Sequence, residues 1–398
     1  KRNVTKEELQ GLKSKLSKKY KLNKFPRDIE IALSTGLKIK SKPSRTISGV
    51  APVAIMTMPM KCSHGTCIFC PGGPNSYFGN VPQSYTGNEP ASMRAIRNNF
   101  DPYLQVFNRL EQYSLLNQDF SKCEVIIMSG TFLSYPKDYI EDFIKYTYKA
   151  FNDFSRLFFY KNKLNFNKFK EFFELDKNFR DKDRIKRIQE KLFLLKGKCK
   201  LKEEQSKNEN TNCRVVALCL ETKPDFCKKE HIDEMLRLGV TRVELGAQSL
   251  YNEVLKITNR GHTVEDTIKA TQLLKDSFLK VTYHTMLGLP LSNRERDIGM
   301  FKELFSNQDY KPDSLKIYPC LVMPGTVLYN LWKSGKFNPI TTEDAVEIIT
   351  EAKRYIPKYT RIMRIQRDIP TKITSAGVDR TNLRQYVHEK LRQKGIKC

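Results

Sequence analysis

Cys62, Cys67 and Cys70 fall within nine residues, spaced C-x4-C-x2-C, in the stretch Met58-Pro-Met-Lys-Cys-Ser-His-Gly-Thr-Cys-Ile-Phe-Cys-Pro-Gly-Gly-Pro. A C-x2-C step turns two thiolates toward one metal centre, and a short glycine-containing loop can bring in a third. Iron–sulfur sites that open with this spacing are closed by a fourth cysteine. None follows nearby, since the next is Cys123, inside an apolar run. Three thiolates on a cubane 4Fe–4S cluster leave one iron open to a substrate or cofactor.

Two other chemistries compete for these residues. Structural zinc could use the same cysteines with His64, but such sites usually draw on two separated ligand pairs, and His64 is crowded between Cys62 and Cys67. A disulfide framework needs far more than ten cysteines in 398 residues. A cluster is the expectation.

The elements that must position this loop follow an alternating rhythm. Apolar runs at 50–58, 124–129, 215–221, 242–249, 280–286 and 314–319 read as strands, with 361–365 as an edge strand. Helical periodicity separates them at 91–116 (divided at Pro102), 137–154, 229–238, 264–276, 294–305, 326–335 and 342–356. Strands alternating with helices predict βαβ units on a parallel sheet, and runs without clean alternation predict burial on both faces. The fold class is therefore α/β, a partial (β/α)6-type barrel. Residues 77–90 read as loop, and 155–212, rich in Lys, Asn and Phe, as an insertion, part helical and part disordered, ending in low-complexity residues 202–211.

Chemistry in such barrels sits at the C-terminal ends of strands. That edge collects the cysteine loop, Ser129-Gly130-Thr131, Glu221, Gln248, His284, Lys316 and Tyr318. Glu221 and Gln248 suit ribose hydroxyls. Lys316 and Tyr318 share a strand face. His284 reads as a satisfied barrel histidine.

The net charge of +26 is concentrated. Residues 1–45 carry fourteen Lys/Arg against four Asp/Glu, 155–212 seventeen against nine, and 354–398 twelve against three. The remainder is close to neutral, so the charge points to a polyanionic partner, nucleic acid rather than membrane. Residues 1–45 predict one or two basic helices, the first with Thr5 and Glu8 as a capping box and Leu9, Leu12 and Leu16 at helical spacing, the second at 28–34, then a polar arm at 38–48. No 18-residue apolar stretch or signal-peptide pattern is present, which predicts a cytoplasmic protein. The expected organisation is 1–45 basic extension, 46–154 and 213–370 barrel, 155–212 insertion, and 371–398 basic linker.

The cysteine loop resembles that of the catalytic subunit of Elongator, a radical S-adenosylmethionine (SAM) enzyme family that modifies tRNA. The resemblance continues through Gln83-Ser-Tyr-Thr-Gly-Asn-Glu-Pro-Ala-Ser-Met-Arg-Ala-Ile-Arg97, Glu221-Thr-Lys-Pro-Asp225, Glu244-Leu-Gly-Ala-Gln-Ser249, Thr258-Asn-Arg-Gly-His-Thr263, Leu315-Lys-Ile-Tyr-Pro319 and Arg364-Ile-Gln-Arg-Asp-Ile-Pro370. It covers residues 50–398 apart from the insertion. It implies a 4Fe–4S cluster on Cys62, Cys67 and Cys70, SAM at Ser129, Gly130, Thr131, Glu221 and Gln248, and a reaction chamber with Lys316 and Tyr318 as catalytic residues. The implied reaction uses a 5′-deoxyadenosyl radical to couple the acetyl methyl of acetyl-CoA to C5 of the tRNA wobble uridine, leaving a carboxymethyl group. Where the family carries a lysine implicated in acetyl-CoA binding, this chain has Arg214. The family continues into an acetyltransferase-like domain; this chain ends at Cys398, which implies a form inactive in the full reaction. The lysine-rich insertion resembles a stand-alone archaeal type, an oligomer of like chains being open. A zinc site at Cys320 and Cys398 is a further expectation. The alternative is a basic, zinc-stabilised RNA-binding module. A methylthiotransferase would bring further cysteine clusters. The tRNA surface is expected on 1–45, the Arg94/Arg97 region and 354–397.

Overall fold

A computed structural model describes residues 6–23, 25–26, 28, 30–31, 46–175 and 181–397. Thr5, Cys398 and most of the expected helix at 28–34 and arm at 38–48 lie outside them.

Seven strands form one parallel sheet in chain order: β1 (Ala51–Met56), β2 (Lys122–Met128), β3 (Arg214–Thr222), β4 (Arg242–Gln248), β5 (Lys280–Leu287), β6 (Ser314–Pro319) and β7 (Arg361–Ile365). This is the expected partial (β/α) barrel. Every residue of β4 is buried, as a sheet covered on both faces requires. Register aligns Glu221 with Glu244 and Lys316 with His284, which places four ionisable groups on neighbouring strands.

The chain divides into two compact units, the first comprising residues 1–53, 106–124 and 147–216, the second 54–105, 125–146 and 217–398. In the first, the described residues of the poorly periodic insertion are packed through phenylalanines. Phe154, Phe158, Phe169 and Phe173 are buried, with ring centroids 4.8 Å apart for Phe154–Phe158 and 4.9 Å for Phe169–Phe173. Residues 201–208, expected in a low-complexity tail, are helical. Their polar side chains are buried partners: Asn152 Nδ2 donates to Glu204 Oε2 at 2.7 Å, and Asn208 Nδ2 to Asn152 Oδ1 at 2.9 Å. In the helix Lys6–Lys19, Leu9 is buried but Leu12 and Leu16 are exposed.

Pro102 divides the expected 91–116 helix into Pro90–Arg97 and Pro102–Leu115, because a proline is tolerated only in a first turn. A hairpin, Gly73–Ser76 with Gly79–Val81, takes up the start of the 77–90 stretch that reads as loop. Thr263 and Asp266, and Thr341 and Asp344, form capping boxes at the helices Val264–Asp276 and Thr342–Ala352, each cap worth about 1 kcal/mol.

Asp297, in the first turn of the helix Arg294–Ser306, braces the loop after β5, accepting from Gly288 N at 2.7 Å and Ser292 Oγ at 2.6 Å. Burial pushes its carboxyl up to about 6, against the lowering effect of these bonds. Between about 4 and 6 the folded state therefore holds a proton that the unfolded state has lost, so this group's contribution falls as pH rises through the window. The difference in thermal midpoint between wild type and Asp297→Asn is expected to favour wild type more at pH 4.5 than at pH 7. A difference independent of pH would refute this.

Candidate active site

The C-terminal ends of the strands enclose a cavity of about 120 Å³ in the second unit. Its walls carry Cys62, Cys67 and Cys70 from the loop after β1, and Gly130 and Thr131 from the turn after β2. Glu221, Glu244, Gln248, His284, Lys316 and Tyr318 come from β3 to β6, and Arg364 and Arg367 from β7 and the turn beyond it. Ser129 reaches Glu221 through its backbone N–H, 3.3 Å from Oε2. Arg214 is exposed in the first unit and does not line this cavity.

The cysteine loop is wound tightly and held from two sides. Cys70 N donates to Cys67 O at 2.9 Å. Gln83 Nε2 donates to Cys70 Sγ at 3.0 Å, and Ser84 Oγ lies 3.4 Å from the same sulfur. At Gly72 an added Cβ would lie 2.1 Å from Tyr85 O, so only glycine fits that approach. From the other side, the segment 258–261 clamps the loop. Thr258 O accepts from Ile68 N at 3.2 Å, and Asn259 Nδ2 donates to Thr66 O at 2.9 Å. Arg260 Nη1 donates to Cys67 Sγ at 3.2 Å, with His64 Nε2 3.3 Å from the same sulfur. Gly261, at φ 70°, lies so close to His64 that a Cβ would meet its Cβ at 2.5 Å. Gly261→Ala is therefore expected to displace the loop and lower retained iron at least several-fold after anaerobic reconstitution. Iron equal to wild type would show that the clamp is dispensable.

Beneath the loop lies a buried charge network. Glu244 accepts from Arg242 Nη1 at 2.8 Å, lies 2.9 Å from His284 Nε2, and pairs with Lys316 Nζ. Burial alone would raise the Glu244 carboxyl; Lys316, His284 and Arg242 together hold it well below the usual carboxylate range. Burial opposes the charge on Lys316, yet Glu244, Tyr318 and Glu221 raise its ammonium above the ordinary value. Burial and the Lys316 charge lower His284, so the imidazole is neutral and sits edge-on to Tyr318, centroids 5.6 Å apart. Glu221 accepts twice from Tyr85 Oη, at 2.9 and 3.1 Å, which leaves lone pairs for a further donor.

Several buried polar atoms here have no partner among the described residues: Ser129 Oγ, Thr131 Oγ1, Thr222 Oγ1 and Gln248 Oε1. Each costs about 1–3 kcal/mol in that state, so the cluster of them marks a place for a polar ligand. Gln248 is also held at φ 65°, where the β4–β5 register shifts, a backbone strain of order 1–3 kcal/mol of the kind stored at functional sites.

Residues 56–303 match the radical SAM superfamily, and 312–393 match its C-terminal domain. The chain belongs to the radical SAM superfamily. Within it, the chain is 40% identical to Elongator complex protein 3 of Schizosaccharomyces pombe, over 98% of this chain and 67% of that one, which places it in that protein's family. It is 46% identical to a tRNA uridine(34) acetyltransferase of Methanocaldococcus infernus, over 90% of this chain and 60% of the relative. A solved structure of that archaeon's Elp3, with N-terminal residues 1–46 deleted, matches with a TM-score of 0.67 at 40% identity, covering 88% of this chain and 64% of the other. The chain thus spans about three fifths of the length of these archaeal relatives.

Radical SAM membership implies a 4Fe–4S cluster and SAM, and the residues present fit both. Burial and the neighbouring Cys70 and Cys67 push the Cys62 thiol up to about 12, so thiolates here call for a cationic centre. The unpartnered hydroxyls and the Gln248 amide match the polar groups of a nucleoside and an amino acid.

Sequence reasoning found the cysteines and the strand-end residues. It missed Tyr85, Gln83 and Arg260 as cavity residues, which reach it from loops. Arg94, expected on a basic surface, is buried and donates to Ala54 O at 2.5 Å; Arg97 is exposed. Cys320 is buried in an apolar cluster with Met286, Leu289 and Val322.

Proposed function

We propose that this protein is a radical SAM enzyme that modifies C5 of the tRNA wobble uridine with an acetyl-CoA-derived carboxymethyl group. The observation that carries the reading is that three cysteine thiols and the buried Glu244–Lys316–Tyr318 group open on one cavity. The names of the relatives, tRNA uridine(34) acetyltransferase and Elongator complex protein 3, support the substrate.

Cys62, Cys67 and Cys70 would hold the cluster, which when bound supplies the electron that cleaves SAM. Thr131, Glu221 and Gln248 orient the SAM nucleoside and Ser129 supports Glu221. Lys316 Nζ, kept protonated by Glu244, presents a fixed positive charge to the uracil carbonyl, and Tyr318 Oη a proton donor beside it. Arg364 and Arg367 line the cavity and suit nucleotide phosphates. A base must leave its stack to be modified, and an anticodon-loop base does so at little cost. The basic segments 1–45 and 354–398 would supply salt-dependent affinity for the tRNA. Arg214 is proposed for acetyl-CoA, as a cation in place of the family's lysine; a bidentate guanidinium reads a phosphate differently from an ammonium.

The test is anaerobic incubation of the reconstituted, reduced protein with SAM, acetyl-CoA and wobble-uridine tRNA, followed by nucleoside analysis. A carboxymethylated uridine dependent on all three supports the reading. SAM cleavage that yields a different modified nucleoside would replace the carboxymethyl chemistry. Zinc binding with no iron would leave an RNA-binding module.

A further inference from the structure

We infer that Arg260 sets the reduction potential of the cluster, by donating a charge-assisted hydrogen bond from its guanidinium to the Cys67 sulfur. The inference rests on the cluster assignment proposed above.

Arg260 is 7% exposed, and its fork is fixed at two points: Nη1 lies 3.2 Å from Cys67 Sγ and Nη2 lies 2.9 Å from Gly246 O. The carbonyl at the bulged end of β4 aims the guanidinium, and Asn259 and Gly261 on either side pin its backbone against the cysteine loop. A buried cation is ordinarily neutralised by a carboxylate, because leaving it unpaired costs several kcal/mol. Among the described residues no carboxylate pairs with Arg260; the partner in reach is the Cys67 sulfur, a thiolate when it holds the cluster. The other donors to these sulfurs, Gln83 and Ser84 on Cys70 and His64 on Cys67, bring no guanidinium charge.

The direction follows from Coulomb's law. Reduction by an external one-electron donor adds one negative charge to the cluster and its sulfurs. A fixed cation and a hydrogen bond to one sulfur stabilise the reduced state more than the oxidised state, and so raise the potential. Arg260 is thus a positioning residue acting through Cys67, with no need to touch substrate.

The experiment is a dithionite titration, followed by electron paramagnetic resonance, of wild type, Arg260→Lys and Arg260→Met, each with its iron counted. Arg260→Met is expected to have a more negative midpoint than wild type at equal iron, with Arg260→Lys between them and Gln83→Leu shifted less than Arg260→Met. An unmoved midpoint in iron-replete Arg260→Met overturns the inference and leaves the cluster assignment standing. If the methionine variant does not hold iron, the wild type decides. Protein labelled with ¹⁵N-arginine is expected to show a nitrogen hyperfine coupling to the reduced cluster that Arg260→Lys lacks. No coupling overturns the inference. Wild type that binds zinc and no iron overturns the cluster assignment, and this inference with it.

Discussion

Cys67→Ala is expected to form no 5′-deoxyadenosine from SAM, and to retain less than a tenth of the wild-type iron after anaerobic reconstitution. Cys67 is the thiol held by the 258–261 clamp, through Arg260, with His64 of its own loop on the same sulfur. Alanine would leave two ligands for the cluster and a buried guanidinium facing a methyl group. That loss of a partner costs about 1–3 kcal/mol or more for a charged donor. The defect must therefore be separated from simple misfolding. Cys320→Ala supplies the control, since that thiol is just as buried and belongs to the same apolar cluster as Cys67 and Cys70, yet does not line the cavity. It should lose some stability through the cavity it leaves and keep both iron and SAM cleavage. Cys62→Ala and Cys70→Ala should behave as Cys67→Ala does. A Cys67→Ala protein that still carries four irons would remove this loop from the cluster.

The contrast between those cysteines also shows what a sequence can carry. Cys62, Cys67 and Cys70 are legible because their chemistry depends on spacing within one loop. The strands are legible because an apolar run buried on both faces leaves a local signature, and their C-terminal ends then order Glu221, Gln248, Lys316 and Tyr318 around one cavity. Arg260 lies 193 residues beyond Cys67, and Tyr85 lies 136 residues before Glu221. Nothing local marks such pairs, because each side chain on its own is an ordinary polar residue of a loop. The same limit hid the helix at 201–208, whose composition reads as solvated until Asn152 is placed against Glu204. Arg94 fails in the opposite direction. A cation in an amphipathic helix reads as surface, while here the guanidinium closes a carbonyl of β1.

Lys316→Met is expected to be the most instructive change in the charge network, because it separates stability from chemistry. Glu244 is fully buried, and Lys316 is one of two cations paired with it, beside the neutral His284. Removing one partner of a buried pair costs about 3–5 kcal/mol; here Arg242 and His284 remain, so a loss near 3 kcal/mol is expected. Product formation should fall by about 100-fold or more, the scale of a positioned charge or proton donor. SAM cleavage without tRNA should be affected far less, since the cysteine loop and its clamp do not depend on Lys316. Adding Glu244→Gln to Lys316→Met also takes the carboxylate from the buried Arg242, so it should lower the thermal midpoint further and recover no product. Product yield from Lys316→Met equal to wild type would make Lys316 a structural counter-ion, and would shift the search for the chamber's cation to Arg364 and Arg367.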